Sequence, residues 1–280
     1  RIYCVPVNIH SAQWLWLSHD AFDAAGVDVP ANWNEFVAAA PALQKAGLVP
    51  LVMGQQGWQQ NLAFGTLTIA IAGVDDWKAV NVDKNVDVAS GDSYKAVFEG
   101  AANARELARD SNVQDWNLAT NMVITGKAGA QIMGDWAQGE FQVAGQVAGE
   151  DYTCLPGLGV NKVLDTGGDA FYFPVVDDPA IQAAQLELAS LLISPEVQVS
   201  FNLAKGSLPV RGDIDMSAAN SCMQKGLEIL ASGGVLPSGD MSLSADATKQ
   251  VADLMADVWS TEMSATDPQA EYVTILSNTH

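Results

Sequence analysis

The sequence predicts an α/β protein, because amphipathic helical stretches with legible caps alternate along it with short apolar runs of strand length. At roughly 100–200 residues per domain, a chain of 280 residues suggests two domains or one large one. Its composition, 49% hydrophobic and 16% charged, fits a packed core and argues against disorder.

The segment from Arg1 to Val7 reads as a strand already under way, with no charged, apolar and cleavage regions before it. Either a signal segment has been removed or a larger part of the parent protein lies ahead of it. Asn32 followed by Glu35 is the pattern of a capping box, and Phe36, Ala39, Ala40 and Leu43 then recur at helical spacing. Gly47 supplies a stop, while Pro41 inside the pattern is expected to kink or split the helix. Val49 to Met53 follows as a short buried strand.

A second helix is expected from Trp58 to Ala72, with Leu62, Leu67 and Ile71 toward the core. A third presents Tyr94, Val97, Phe98, Ala101 and Leu107 on one face. Gly126 to Met133 reads as a turn into a strand, and Gly134-Asp135 as the cap of another helix. Tyr152 to Leu155 and Ala170 to Val176 read as strands. Ser194-Pro195-Glu196 has a capping hydroxyl, a first-position proline and an acid in the first turn, so a helix starts there. Further helices are expected over residues 217–232, 245–262 and 266–278.

Charge narrows the partners. The formal net charge is −20, from 33 acidic against 13 basic residues, and the basic ones are scattered. Nucleic acid and anionic lipid both require clustered Lys and Arg, so neither is an expected partner. No run approaches the ~18 consecutive apolar residues that span a bilayer, so no membrane insertion is expected. A neutral ligand would feel little of this field, and acidity of this kind also keeps a secreted protein in solution.

Catalytic and metal signatures are scarce. There is no GxSxG elbow, no GxxxxGK[ST] loop and no GxGxxG after a strand. His10, His19 and His280 form no ligand spacing, and Cys4, Cys154 and Cys222 no CxxC, so no metal or cofactor is expected. Cys154 and Cys222 are either a disulfide closing a loop of about 70 residues, contributing about 4 kcal/mol, or two reduced core thiols. Asp135 with Asp169 is the pair a glycoside hydrolase would need, yet nothing in the sequence marks either acid as a proton donor.

Tryptophan stands out. Eight occur, and Trp58, Trp116 and Trp136 each lie beside a polar turn instead of on an apolar helix face. A sugar ring offers a face of C–H groups to an indole and an equator of hydroxyls to carboxylates and amides. Each of these rings, taken alone, is also consistent with core packing.

Several segments together resemble a known family. Val5-Pro-Val-Asn-Ile-His10, Trp14-Leu-Trp16, Phe22-Asp-Ala-Ala-Gly26, Trp33-Asn-Glu-Phe36 and Leu43-Gln-Lys-Ala-Gly47 look like successive landmarks of family 1 extracellular solute-binding proteins of ABC transporters. Gly126-Lys-Ala-Gly-Ala-Gln-Ile-Met-Gly-Asp-Trp136-Ala-Gln-Gly-Glu-Phe141 is similar to the glucose- and mannose-type branch almost along its length. Gly168-Asp169-Ala-Phe-Tyr-Phe173 and Lys205-Gly-Ser-Leu-Pro-Val-Arg211 follow in order.

The resemblance implies a periplasmic-binding-protein-like fold with two α/β lobes, a hinge of crossing strands and a monosaccharide in the cleft. It implies a periplasmic or secreted location, ABC permease subunits as partners and no enzymatic activity. It places sugar contacts at Trp116 and Trp136 (stacking), Asp169 (adjacent hydroxyls) and Lys205 (a donor, or else a cap for terminal carbonyls). His10, at the end of the first hinge strand, Trp58 and Asp135 are further candidates; for Asp135 a helix cap is the better reading of the sequence alone. Where the branch carries a histidine near the last hinge crossing, this chain has Met241 beside Asp240. Relatives carry a long segment before the position matching Arg1. One lobe over residues 3–165 is therefore expected, with 166–280 supplying hinge crossings, remaining helices of the first lobe and C-terminal helices. The alternative is an interaction protein whose incomplete cleft serves as an oligomerisation surface.

Overall fold

The computed structural model describes residues 2–237, 243–260 and 266–278; the expectations for Asp240, Met241 and residues 261–262 lie outside them. The strands are β1 (Ile2–Pro6), β2 (His10–Ser11), β3 (Trp14–Ser18), β4 (Val49–Leu51), β5 (Ala128–Met133), β6 (Tyr152–Pro156), β7 (Thr166–Gly167) and β8 (Ala170–Pro174). The helices of the first half are α1 (His19–Ala25), α2 (Trp33–Lys45), α3 (Gly57–Ile71), α4 (Gly73–Asn81), α5 (Val86–Ala89), α6 (Asp92–Leu107) and α7 (Trp116–Ile124). Those of the second half are α8 (Ala137–Val143), α9 (Pro179–Leu192), α10 (Pro195–Lys205), α11 (Ser221–Ala231), α12 (Ala245–Ser260) and α13 (Thr266–Ser277).

A mixed four-stranded sheet in the order β4-β5-β3-β6 forms the centre, with β4 parallel to β5 and the other pairs antiparallel. Side chains alternate across a strand, so β3 feeds two cores at once. Leu15 and Leu17 join Phe36, Leu43, Phe64, Tyr94 and Phe98 from α2, α3 and α6. Trp14 and Trp16 point the other way, onto Ala119, Val123, Phe141 and Cys222 of α7, α8 and α11. The sheet is thus covered by helices on both faces, and each large side chain fully buried there stabilises by about 1.5–3 kcal/mol. Cys154 and Cys222 are bonded, with Cα atoms 6.0 Å apart, and tie α11 to β6. Lys225 donates from Nζ to the Cys154 carbonyl at 2.8 Å beside the bridge.

The C-terminal helices return to this body. Val251, Leu254 and Met255 of α12 and Tyr272, Ile275 and Leu276 of α13 share the first core. A boundary at residue 165 therefore does not follow the packing: helices from both sides of it build one core.

Local signals are largely realised. Asn32 accepts from the Glu35 N–H at 3.0 Å, but Glu35 reaches back to the N–H of Ala31 at 2.8 Å, one residue earlier than a reciprocal capping box requires. Pro41 does not split α2; it lies on the exposed side, where water can reach the Val37 carbonyl that loses its bond. The helix expected from residue 217 starts at Ser221, because Asn220 caps it by accepting from the N–H groups of Cys222 and Met223.

Beside the main sheet the chain crosses itself repeatedly. β1 pairs with β8 and β2 with β7, both antiparallel. Ile9 and Leu208 exchange antiparallel backbone hydrogen bonds of 2.7 and 2.9 Å, and Leu164 bridges Val235 in parallel, bonding to the Gly234 carbonyl and the Leu236 N–H. Gln198 and Asn202 of α10, both fully buried, donate to the Val7 carbonyl and anchor the helix to the crossing. Outside the crossing, α9 buries none of its residues, and Phe171, Tyr172, Val175, Ile181, Leu186 and Leu191 are exposed along β8 and α9.

Candidate functional site

The strand crossing concentrates polar groups. Between β1 and β2 the stretch Val7-Asn8-Ile9-His10 is extended, so Asn8 and His10 fall on one side. Both are buried. Opposite them stand Asp135, just after β5, and Asp169, just before β8.

Asp135 is 4% exposed and accepts three hydrogen bonds: from the Ser11 N–H at 2.8 Å, from Ser11 Oγ at 2.9 Å, and at 2.5 Å from His10 Nδ1. Burial raises its pKa above the ordinary carboxylate value, and the His10 and Ser11 donors pull against that. The expectation that Asp135 caps a helix is corrected here. α8 has Trp136 at its N-cap with no side-chain bond, and the carboxylate turns instead to a strand more than a hundred residues away.

Asp169 is the exposed counterpart. Its Oδ2 accepts from Asn8 Nδ2 at 2.9 Å and lies 3.2 Å from His10 Nε2, while its backbone N–H donates to Asn8 Oδ1 at 2.6 Å. Partial burial works to raise its pKa, but the Asn8 hydrogen bond and the charges of His10 and Lys205 outweigh it and hold the carboxylate below its ordinary value.

Lys205 ends α10, and Gly206 closes that helix in the left-handed region at φ +80°, where a side chain is strained. A Cβ there would also come within 3.1 Å of the Asp135 carbonyl, so the glycine lets the end of α10 close onto the start of α8.

Aromatic rings frame the acids. The indole of Trp136 is half-buried and folds back over Gly134, where a Cβ would sit 2.2 Å from the ring. The His10 ring meets Trp136 edge-on, with centroids 5.3 Å apart. Trp58, 44% exposed, lies 6.3 Å from Trp136 with the planes at 47°. A hydrogen-bond chain runs from the Trp58 indole N–H to Gln56 Oε1 and from Gln56 Nε2 to Asp115 Oδ1, each step 2.6 Å. Trp116 opens α7 immediately after Asp115 and is half-buried against the second core, as Trp136 is.

The structure therefore brings His10, Trp58, Trp136 and Asp169 into one cluster and adds Lys205 through its charge; Trp116 follows Asp115, at which the hydrogen-bond chain from Trp58 ends. Neither Trp116 nor Trp136 is sealed in the core. Asn8, Ser11 and Gln56 escape sequence reasoning. The one legible trace of Asn8 is a polar pair at i, i+2 within an apolar strand. A cavity of about 310 Å³ shares Trp58 with the cluster, but Asp135, Asp169 and Lys205 do not line it. No group of His, Cys, Asp and Glu suited to a metal ion occurs among the described residues. No helix among them is long and apolar enough to cross a membrane.

Such a constellation can grip a neutral polyhydroxylated ring, with indoles against its C–H face and a carboxylate and an ammonium at its hydroxyls. Comparison with known proteins finds relatives along most of the chain. The chain is 38% identical over 224 residues to a probable sugar-binding periplasmic protein of Brucella suis, covering 79% of this chain and 52% of that one. It is 35% identical over 259 residues to a protein of the same description from Mesorhizobium japonicum, covering 90% and 61%. The chain thus spans about half the length of the curated relatives it matches.

Among solved structures, a chitin oligosaccharide binding protein superposes with a TM-score of 0.80 at 18% identity, over 99% of this chain and 71% of that one. A Thermotoga lettingae ABC transporter solute-binding protein bound with α-D-tagatose gives 0.71 at 16%, over 98% and 72%. At those identities the likeness is one of fold. The bacterial extracellular solute-binding protein family matches over residues 1–199, and the chain belongs to that family.

Proposed function

We propose that this protein binds a monosaccharide of the glucose type outside the cytoplasmic membrane and presents it, unaltered, to the permease of an ABC importer. One observation carries the reading: at a crossing of strands, an exposed carboxylate is oriented by buried Asn8 and His10 beside a lysine and two partly exposed indoles. In this reading Asp169 accepts from adjacent hydroxyls, Lys205 donates to a hydroxyl oxygen, and Trp136 and Trp116 stack on the ring, with Trp58 at the rim. The sugar-binding descriptions of the relatives and the tagatose-bound neighbour support the ligand class.

The crossing strands serve as the hinge. The sheet β4-β5-β3-β6 with α1 to α8, and α11 to α13 packed back upon them, form one lobe; the β1–β8 ribbon, α9 and α10 belong to the other. Hydrolysis is disfavoured by Asp135, which is buried and engaged by three donors, so only one carboxylate of the pair is open to a substrate.

Titration calorimetry of the full-length gene product against a hexose panel tests the reading. Trp136→Ala is expected to weaken the bound sugar by at least ~1 kcal/mol, and Asp169→Asn to weaken it further. Unchanged affinity in both variants removes the cluster from the site, and turnover of a chromogenic glycoside overturns the assignment as a receptor. A second reading rests on the exposed apolar face of α9: the chain is an interaction protein without sugar affinity. Concentration-dependent mass by light scattering, with no heat from any sugar, would favour it.

A further inference from the structure

His10 is 8% exposed and lies between two carboxylates of different kinds. On one side Asp135 is sealed in and meets Nδ1 at 2.5 Å; on the other, the Asp169 side chain is 57% exposed and meets Nε2 at 3.2 Å. Nδ1 thus has an acceptor before it and keeps, or shares, a proton there. Nε2 is different, because its two neighbours make opposite demands.

Asn8 Nδ2 stands 3.0 Å from Nε2. The orientation of that amide is fixed by its other end, since Asn8 Oδ1 accepts from the backbone N–H of Asp169. Nδ2 therefore has only hydrogens to offer and favours a bare Nε2, whereas the carboxylate favours a protonated one. Which neighbour is satisfied turns on a single proton. Both Asn8 and His10 address Oδ2 of Asp169, and its Oδ1 has no hydrogen-bond partner among the described residues.

We propose that His10 is a positioning residue for the sugar site. With a proton on Nε2 it clamps Oδ2 of Asp169 and holds Oδ1 ready for ligand hydroxyls. With Nε2 bare it turns to Asn8 and sets a lone pair against the carboxylate. Sugar affinity then follows the protonation of His10. The role rests on the reading of Asp169 as a sugar ligand.

The charged groups that bear on the switch are Asp135 from the end of β5, Asp169 from the start of β8 and Lys205 from the end of α10. A protonated His10 leaves two acids balanced by two bases, and a neutral one leaves the cluster with an uncompensated negative charge. Affinity is accordingly highest with His10 protonated and falls when that proton is lost.

Calorimetry of the full-length gene product with its preferred hexose, across a pH series from about pH 5 to pH 8, provides the test. Wild type is expected to bind about tenfold more weakly at the upper end, the scale of one hydrogen bond to a charged group. His10→Gln, which cannot titrate, is expected to bind with a flat profile. Asp135→Asn removes the buried carboxylate that favours the imidazolium, so its profile shifts to lower pH.

Nitrogen-15 spectra of the His10 ring, recorded without sugar, supply a reading that does not depend on the variants' affinity: Asp169→Asn is expected to move the His10 titration to lower pH. A flat wild-type profile with sugar bound overturns the role and leaves the sugar reading standing. So does a His10 titration that Asp169→Asn leaves unmoved. Absence of binding to every hexose at every pH overturns the sugar reading, and this role with it.

Discussion

Asn8 and Asp169, 161 positions apart, hydrogen-bond each other in both directions: the amide donates to the carboxylate at 2.9 Å and accepts from the Asp169 N–H at 2.6 Å. Val7 adds a backbone bond to the Asp169 carbonyl at 3.0 Å. Asn8→Ala leaves both the N–H and the carboxylate short of a partner, and is expected to destabilise the protein by about 1–3 kcal/mol. Chemical denaturation measures this, and sugar affinity should fall in the same variant. A stable Asn8→Ala protein with wild-type affinity would show that the pair does not orient Asp169.

The Trp136 ring can fold over Gly134 only because that residue has no Cβ. Gly134→Ala forces that indole outward, away from the edge of His10. Tryptophan emission should shift to the red and sugar affinity should drop, while the melting temperature moves little, since Trp136 is only partly buried. An unchanged emission maximum would place the ring elsewhere.

The Cys154–Cys222 bridge closes a separation of 68 residues and joins β6 to α11. Cys154→Ser with Cys222→Ser is expected to cost about 2–5 kcal/mol, read as a lower denaturant midpoint, and mild reductant should reproduce it in the wild type. Cys4 is exposed and unpaired. A thiol reagent should therefore label one cysteine in the native oxidised protein and three after reduction and unfolding.

The lowered pKa of Asp169 sets a sign for acid stability. In the unfolded chain this carboxylate titrates near its ordinary value of 3.8, and in the folded protein below it. Its contribution is thus complete above about pH 4 and is lost as pH falls through the folded value. Melting temperatures of wild type and Asp169→Asn should converge toward strong acid and separate toward neutrality, by a small amount because the side chain is largely exposed. A constant gap across the acid range would mean that the carboxylate gains nothing from Asn8, His10 and Lys205.

Sequence reasoning worked where the cause is local. The caps at Asn32 and Ser194, the apolar face of α6 and the buried run of β5 are properties of neighbouring residues, and all are found. It went astray where the deciding partner is distant. Gly134-Asp135 has the look of a helix cap, and only the return of Ser11 and His10 to that spot redirects the carboxylate. Trp14-Leu-Trp16-Leu17 signals a strand, but that both faces are covered depends on helices from Trp33 to Leu276. The family resemblance located Trp136, Asp169 and Lys205 at the cluster. The grouping of α12 and α13 with the first half of the chain had no trace in local pattern.

Asn8 and His10 belong to the segment that leads from the β1–β8 ribbon toward the main sheet. Under the proposed function, recognition and articulation would then draw on the same atoms. A rotation about that joint would alter the neighbours of Asp169, and a guest seated on Asp169 would stiffen it. Substitutions intended to loosen one would register in the other, and a variant selected for a new guest would carry an altered pivot with it.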